Sequence, residues 1–168
     1  MRLPWRRIAA WAVDWLCIVG WVAVTAAVGV PLYLAGIIAP TGQLMLNVIG
    51  ALVVIVPVVL GAALFERAGS GTPGKRALRL RVESRGRRPS FGQTFARNAL
   101  KIGIPWLVGH AAVFALVSTA EDAGVPAPVW IVTVVAYVIP LAYLVSLFLP
   151  GGRTPYDAAA RTVVVRAE

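Results

Sequence analysis

The chain is short of charge. Aspartate and glutamate together number seven in 168 residues, and all charged residues make up 14%. A soluble domain carries roughly 25%. There is one cysteine, Cys17, and one histidine, His110. A single thiol closes no internal disulfide, and Cys17 lies in an apolar run where a buried side chain is expected. A single histidine without metal-ligand companions at usable spacing makes no zinc site. No Ser/His/Asp or Cys/His set has supporting context and no dinucleotide fingerprint is present, so neither an enzyme nor a cofactor is expected. Gly69-x4-Gly74-Lys75 looks like a phosphate-binding loop, but Arg76 stands where Ser or Thr is needed and an apolar helix precedes it instead of a strand.

Apolar residues are abundant. They reach 59% of the chain, and mean hydropathy is +0.79. Four runs are long enough to cross a ~30 Å hydrocarbon core: about residues 8–35, 44–65, 102–120 and 128–149. They are continuously apolar, without the alternation of a barrel strand. The first run holds one charge, Asp14, and is longer than a cleavable signal core, so an uncleaved span is expected. Gly29 and Pro31 predict a kink or an early exit from the bilayer. The expected fold is an all-α, four-helix membrane bundle in a single domain, with a basic loop 66–101 and a tail 150–168.

All sixteen Lys and Arg fall into three segments. Arg2, Arg6 and Arg7 open the chain. Ten lie between the second and third runs, from Arg67 to Lys101. Arg153, Arg161 and Arg166 close it. Residues 36–43 and 121–127 have none, and the latter hold Glu121 and Asp122. Lys and Arg stay on the cytoplasmic side. The expected topology therefore puts the N-terminal segment, the large loop and the tail inside, which requires an even number of spans. Trp5, Trp106 and Trp130 suit interfacial positions. The +9 net charge is accounted for by this topology and by anionic lipid headgroups. Nucleic acid is not expected, because the loop lacks interleaved aromatics and a docking motif.

The loop has local grammar. Pro73-Gly74 suits a tight turn. Leu78, Leu80 and Val82 alternate with Arg79, Arg81 and Glu83, which predicts a strand. Ser84–Arg88 reads as a polar turn. Ser90 could cap an amphipathic interfacial helix carrying Phe91, Phe95 and Ala99 on one face. Thr162–Val165 is β-prone, and a small sheet pairing Leu78–Val82 with Thr162–Val165 is expected.

Asp14 is the strongest single signal. A carboxylate in hydrocarbon costs ~2.5–3.5 kcal/mol on insertion scales, so it must be paired, wetted or protonated. Arg7 is two helical turns earlier, with small Ala10 between them on the same face. Asp14 is either a cation- or proton-binding carboxylate at the mouth of a pathway, or half of a structural ion pair with a loop residue such as Arg97. Around Asp157, Thr154 as N-cap, Pro155 at the first helical position and Asp157 at the third form a capping-box arrangement. Arg161 stands at i+4 from Asp157. His110, near mid-bilayer, is expected to hydrogen-bond a neighbouring helix, with proton shuttling as the alternative.

The chain resembles the bacterial RDD family, named for one Arg and two Asp. Arg7-x2-Ala10-x3-Asp14 is similar to the family's first-span motif. Thr72-Pro73-Gly74-Lys75, Leu80-Arg81-Val82 and Arg88-Pro89-Ser90 are similar to its loop segment, and Asp157 with Thr162–Val165 to its closing segment. The chain departs from the pattern at Tyr156, where His is common, and at Arg161, where a small residue is usual. The resemblance implies Arg7, Asp14 and Asp157 as the named positions. It also implies a bacterial inner-membrane location and transport, including cation/proton antiport in some members. Two functions are expected from different classes. The leading one is a small oligomeric transporter in which Asp14 binds a cation or proton, Arg7 tunes it and Asp157 gates or anchors. The other is an accessory or scaffold subunit that docks a partner membrane protein or anionic lipid through its basic loop.

Overall fold

A computed structural model describes residues 3–39, 41–119 and 124–167. Helix α1 (Leu3–Leu34) runs unbroken through Pro31. Helix α2 (Gln43–Gly50), a π turn (Ala51–Ile55) and α3 (Val56–Arg67) follow end to end. The short α4 (Pro73–Ala77) leads to β1 (Leu80–Glu83). Helix α5 (Phe91–Asn98), a second π turn (Ala99–Gly103) and α6 (Ile104–Ser118) again form one rod. Helix α7 (Ala127–Ser146), α8 (Pro155–Ala159) and β2 (Val163–Arg166) complete the chain.

Among the described residues, four helices are long and apolar enough to cross a bilayer: Leu3–Leu34, Leu44–Arg67, Phe91–Ser118 and Ala127–Ser146. Their outer faces expose Leu16, Val24, Leu52, Val113, Ile131 and Tyr137. Such a surface is stable only against lipid or another apolar face. The protein is a membrane protein with bilayer-contacting helices. Ala120, Glu121 and Asp122, expected at the end of the third span and in the connection after it, lie outside the described residues.

Each π turn ends two residues before a proline, Pro57 and Pro105. Proline has no N–H and its ring presses on the carbonyl four residues back. One widened turn relieves that contact while the rod continues. The third rod also starts earlier than its apolar run, because α5 feeds straight into α6.

The sheet is antiparallel and pairs Leu80 with Arg166 and Val82 with Val164. It begins two residues later than the alternation suggests. Leu78 and Arg79 are used in the turn that ends α4, where Arg79 takes a left-handed φ of 51°. Leu80, Val82 and Val164 are buried against Ala10 of α1, with Leu3 and Leu78 at the edge. Each such side chain contributes roughly 1.5–3 kcal/mol where water is the alternative. The sheet thereby fastens the tail to the loop and both to the start of α1.

Ser90 caps α5 as its sequence suggests, in a capping box with Gln93. The apolar face of α5 points away from the protein, as suits a helix at the membrane interface. Thr94, Arg97 and Asn98 are buried, while Phe95 is exposed. The polar stripe of this amphipathic helix faces the protein because a charged cluster waits for it there.

Candidate functional site: a belt of buried charge

Five elements converge at the end of the bundle where the basic segments meet. From α1 comes Arg7. Its guanidinium donates to Asp157 Oδ2 at 2.5 Å and to the Gly152 carbonyl at 2.7 Å. Asp157 lies on α8 and is fully buried. Its Oδ1 accepts from Arg97 Nε of α5 at 2.8 Å. Arg97 donates onward to Glu66 Oε1 of α3 at 2.6 Å, and Lys75 of α4 reaches the same oxygen at 2.6 Å. Lys75 also donates to the Thr72 hydroxyl at 3.3 Å. That hydroxyl donates to Asp14 Oδ2 at 2.8 Å, back on α1. The path leaves α1 at Arg7 and returns to it at Asp14, through charges of alternating sign. Asn98 donates to Glu66 Oε2 at 2.8 Å, and Thr154 to Asp157 Oδ2 at 2.7 Å, so the carboxylates are well supplied with donors.

Buried ion pairs repay their desolvation only when geometry is good and the remaining lone pairs are satisfied. Both conditions hold here. What the belt adds is registration: α1, α3, α4, α5 and α8 can satisfy these groups together in one arrangement.

Asp14 makes no ion pair with Arg97. Arg97 is taken by Asp157 and Glu66, and Asp14 instead receives the Thr72 hydroxyl and the Gly74 N–H, the latter at 2.8 Å. Thr72 is the N-cap of α4, yet its own side chain makes no capping bond. Asp14 does that work from another helix, where a carboxylate also meets the positive end of the α4 dipole. Gly74 makes this approach possible, since a Cβ there would strike the Ala10 carbonyl oxygen. The Thr72-Pro73-Gly74-Lys75 motif is thus a docking turn for α1. It is not a phosphate loop, and its lysine is buried on Glu66.

The region around Asp157 also differs from its local reading. Thr154 is the N-cap and Pro155 opens α8, but the Thr154 hydroxyl donates to the Asp157 carboxylate instead of capping a backbone N–H. Asp157 does not pair with Arg161. Two guanidiniums compete better than one exposed i+4 neighbour, and Arg161 leaves the helix with φ 54°. Tyr156 is buried, 5.3 Å beneath the Arg97 guanidinium and edge-on to Tyr143. His110 forms no hydrogen bond among the described residues. It stacks on Trp106 at 5.1 Å and meets Phe114 edge-on, because Trp15, Trp106, His110 and Phe114 line up as an aromatic ladder between helices. Cys17 is exposed on α1, not buried.

Glu66 and Asn98 escaped the sequence reading. A carboxylate at the end of an apolar run, next to Arg67, looks like a span boundary. The usable signal was the polar stripe Ser90, Thr94, Arg97, Asn98 and Lys101 at helical spacing, which had to face something.

Burial alone would raise the Asp157 carboxyl, but Arg97 and Arg7 beside it, with the Thr154 hydroxyl, hold it down to about 2. Burial pushes the Lys75 ammonium down to about 8, against the pull of Glu66. A depressed carboxyl contributes stability that is full above its unfolded value and lost as pH falls through the folded one. Detergent-solubilised protein should therefore hold its Asp157 contribution above pH 3.8 and lose it as pH falls through about 2. A thermal-midpoint titration of wild type against Asp157→Asn reads this difference. Equal slopes below pH 3.8 would contradict the assignment.

A family model described as the RDD family matches residues 1–161. No curated protein and no solved structure matches the chain.

Proposed function

We propose, for a chain that belongs to the RDD family of membrane proteins, an accessory or scaffold role in the bacterial cytoplasmic membrane. In this role the three name-giving charges lock the fold and do not conduct ions. The N-terminal segment, the basic loop and the tail lie on the cytoplasmic side in this reading, which the Lys and Arg placement supports. One observation carries the reading. Arg7 is taken by Asp157 and the Gly152 carbonyl, Asp157 by Arg7 and Arg97, and both Asp14 oxygens are engaged by the α4 turn. A group already saturated by fixed donors has little to offer a passing ion. The exposed arginines of the loop and tail, among them Arg79, Arg81, Arg85, Arg87 and Arg88, present the basic face to a partner membrane protein or anionic lipid.

A second reading has its own support. Among the described residues Asp14 has no cationic partner in direct contact, and it borders a cavity of about 190 Å³. In an assembly of several copies it could serve cation or proton transport. One experiment separates the two. Proteoliposomes of the purified protein are loaded with a pH-sensitive dye and challenged with a monovalent-cation gradient. The accessory reading expects flux equal to protein-free vesicles. Cation-dependent flux that disappears in folded Asp14→Asn would replace it with the transport reading.

A further inference from the structure

The belt is neutral: Arg7, Arg97 and Lys75 face Asp14, Glu66 and Asp157. Lys101 is an additional cation. It sits half-buried in the π turn Ala99–Gly103 and makes no hydrogen bond or ion pair among the described residues. Its side chain lines the Asp14 cavity of about 190 Å³, which lies between α1, α3 and the start of the third rod. The charged groups around it are already engaged. Asp14 is held by Thr72 and Gly74, Glu66 by Lys75, Arg97 and Asn98, and Asp157 by Arg7 and Arg97, while Arg97 itself repels Lys101. A surplus cation in such a place calls for an anion.

Two further observations narrow the chemistry of that anion. Asn98 also lines the cavity, and its amide oxygen is buried with no hydrogen-bond partner among the described residues, so it can accept from a hydroxyl. Cys17, Pro57 and Phe65 at the cavity wall are exposed on the outer surface, where the bilayer covers the helices. We propose that this cavity seats the headgroup of one anionic, hydroxyl-bearing phospholipid of the phosphatidylglycerol class. The phosphate lies on the Lys101 ammonium, a headgroup hydroxyl donates to Asn98 Oδ1, and the acyl chains run along the groove between α1 and α3. One phosphodiester charge brings the whole cluster to zero. The site is distinct from the exposed arginines of the loop, which need no cavity.

Native mass spectrometry of the full-length protein in neutral detergent tests this. Phosphatidylglycerol, phosphatidylethanolamine and inorganic phosphate are added in separate arms. The expected result is one retained phosphatidylglycerol, favoured about tenfold over phosphatidylethanolamine, as for an ion pair away from bulk water. Lys101→Met should lower that retention to the phosphatidylethanolamine level, Lys101→Arg should restore it, and Arg85→Ala at the exposed turn should leave it unchanged. If the Met variant does not fold, Lys101→Gln takes its place. Retention unchanged in Lys101→Met or Lys101→Gln would overturn the proposal. So would equal retention of phosphatidylethanolamine, whose ammonium could turn to Asp14, or displacement of the lipid by inorganic phosphate. None of these outcomes depends on whether the protein transports ions.

Discussion

Glu66→Gln is expected to destabilise the folded protein by about 3–5 kcal/mol, the usual cost of removing one partner from a buried ion pair. Gln keeps the shape and loses the charge, so Lys75 and Arg97 both lose the anion they share at 2.6 Å. Neither cation can reach water, because both side chains are almost fully buried. The thermal midpoint in detergent should fall steeply. Adding Lys75→Met to Glu66→Gln should recover part of the loss, since the double variant no longer buries an orphaned ammonium. By contrast, the exposed Arg81–Glu83 pair at 2.7 Å should be worth about 0–1 kcal/mol when Arg81 becomes Ala. A Glu66→Gln protein as stable as wild type would show that the belt is ornamental, and the accessory reading would lose its main support.

Gly74→Ala is expected to be as damaging for a different reason. The added Cβ would fall on the Ala10 carbonyl oxygen and within 2.9 Å of Asp14 Oδ1. Overpacking against a side chain costs about 1–3 kcal/mol because the side chain can turn away, but a backbone carbonyl inside a helix cannot, so at least about 3 kcal/mol is expected. The Gly74 N–H bond to Asp14 would be lost as the turn lifts from α1. This requirement is for space, not for a left-handed backbone, which distinguishes Gly74 from Gly71 with its φ of 70°. Two controls sharpen the test. Ala10→Gly should not rescue Gly74→Ala, because the collision is with the carbonyl and not with the methyl. Gly20→Ala should be harmless, since nothing lies within 4 Å of its added Cβ. Rescue by Ala10→Gly would mean that α1 and α4 meet through side chains after all.

These two expectations locate the protein's organisation at one end of the bundle. Few residues of the apolar rods are buried within the protein. In lipid no hydrophobic drive pulls them together, so close packing and polar contacts must do so. The belt supplies those contacts where the rods emerge. It joins the first span to the loop through Asp14 and the α4 turn, and to the tail through Arg7 and Asp157.

Features that depend on composition and short spacing could be read from the residues alone. Bilayer-length apolar runs become membrane-crossing helices because length and hydrophobicity are one-dimensional properties. The capping box at Ser90 and Gln93, the β-prone alternation at Leu80 and Val82, and the closeness of Ala10 to Asp14 on one face were legible for the same reason. Which charge pairs with which depended on the folded arrangement. Arg7 meets Asp157 across 150 residues, and Arg97 meets Asp157 across 60 and Glu66 across 31. Local spacing offered Asp157 a neighbour at Arg161 and left Glu66 as a span boundary. Burial overruled both, because a charge taken out of water binds whichever counter-charge the fold brings to it, however remote along the chain.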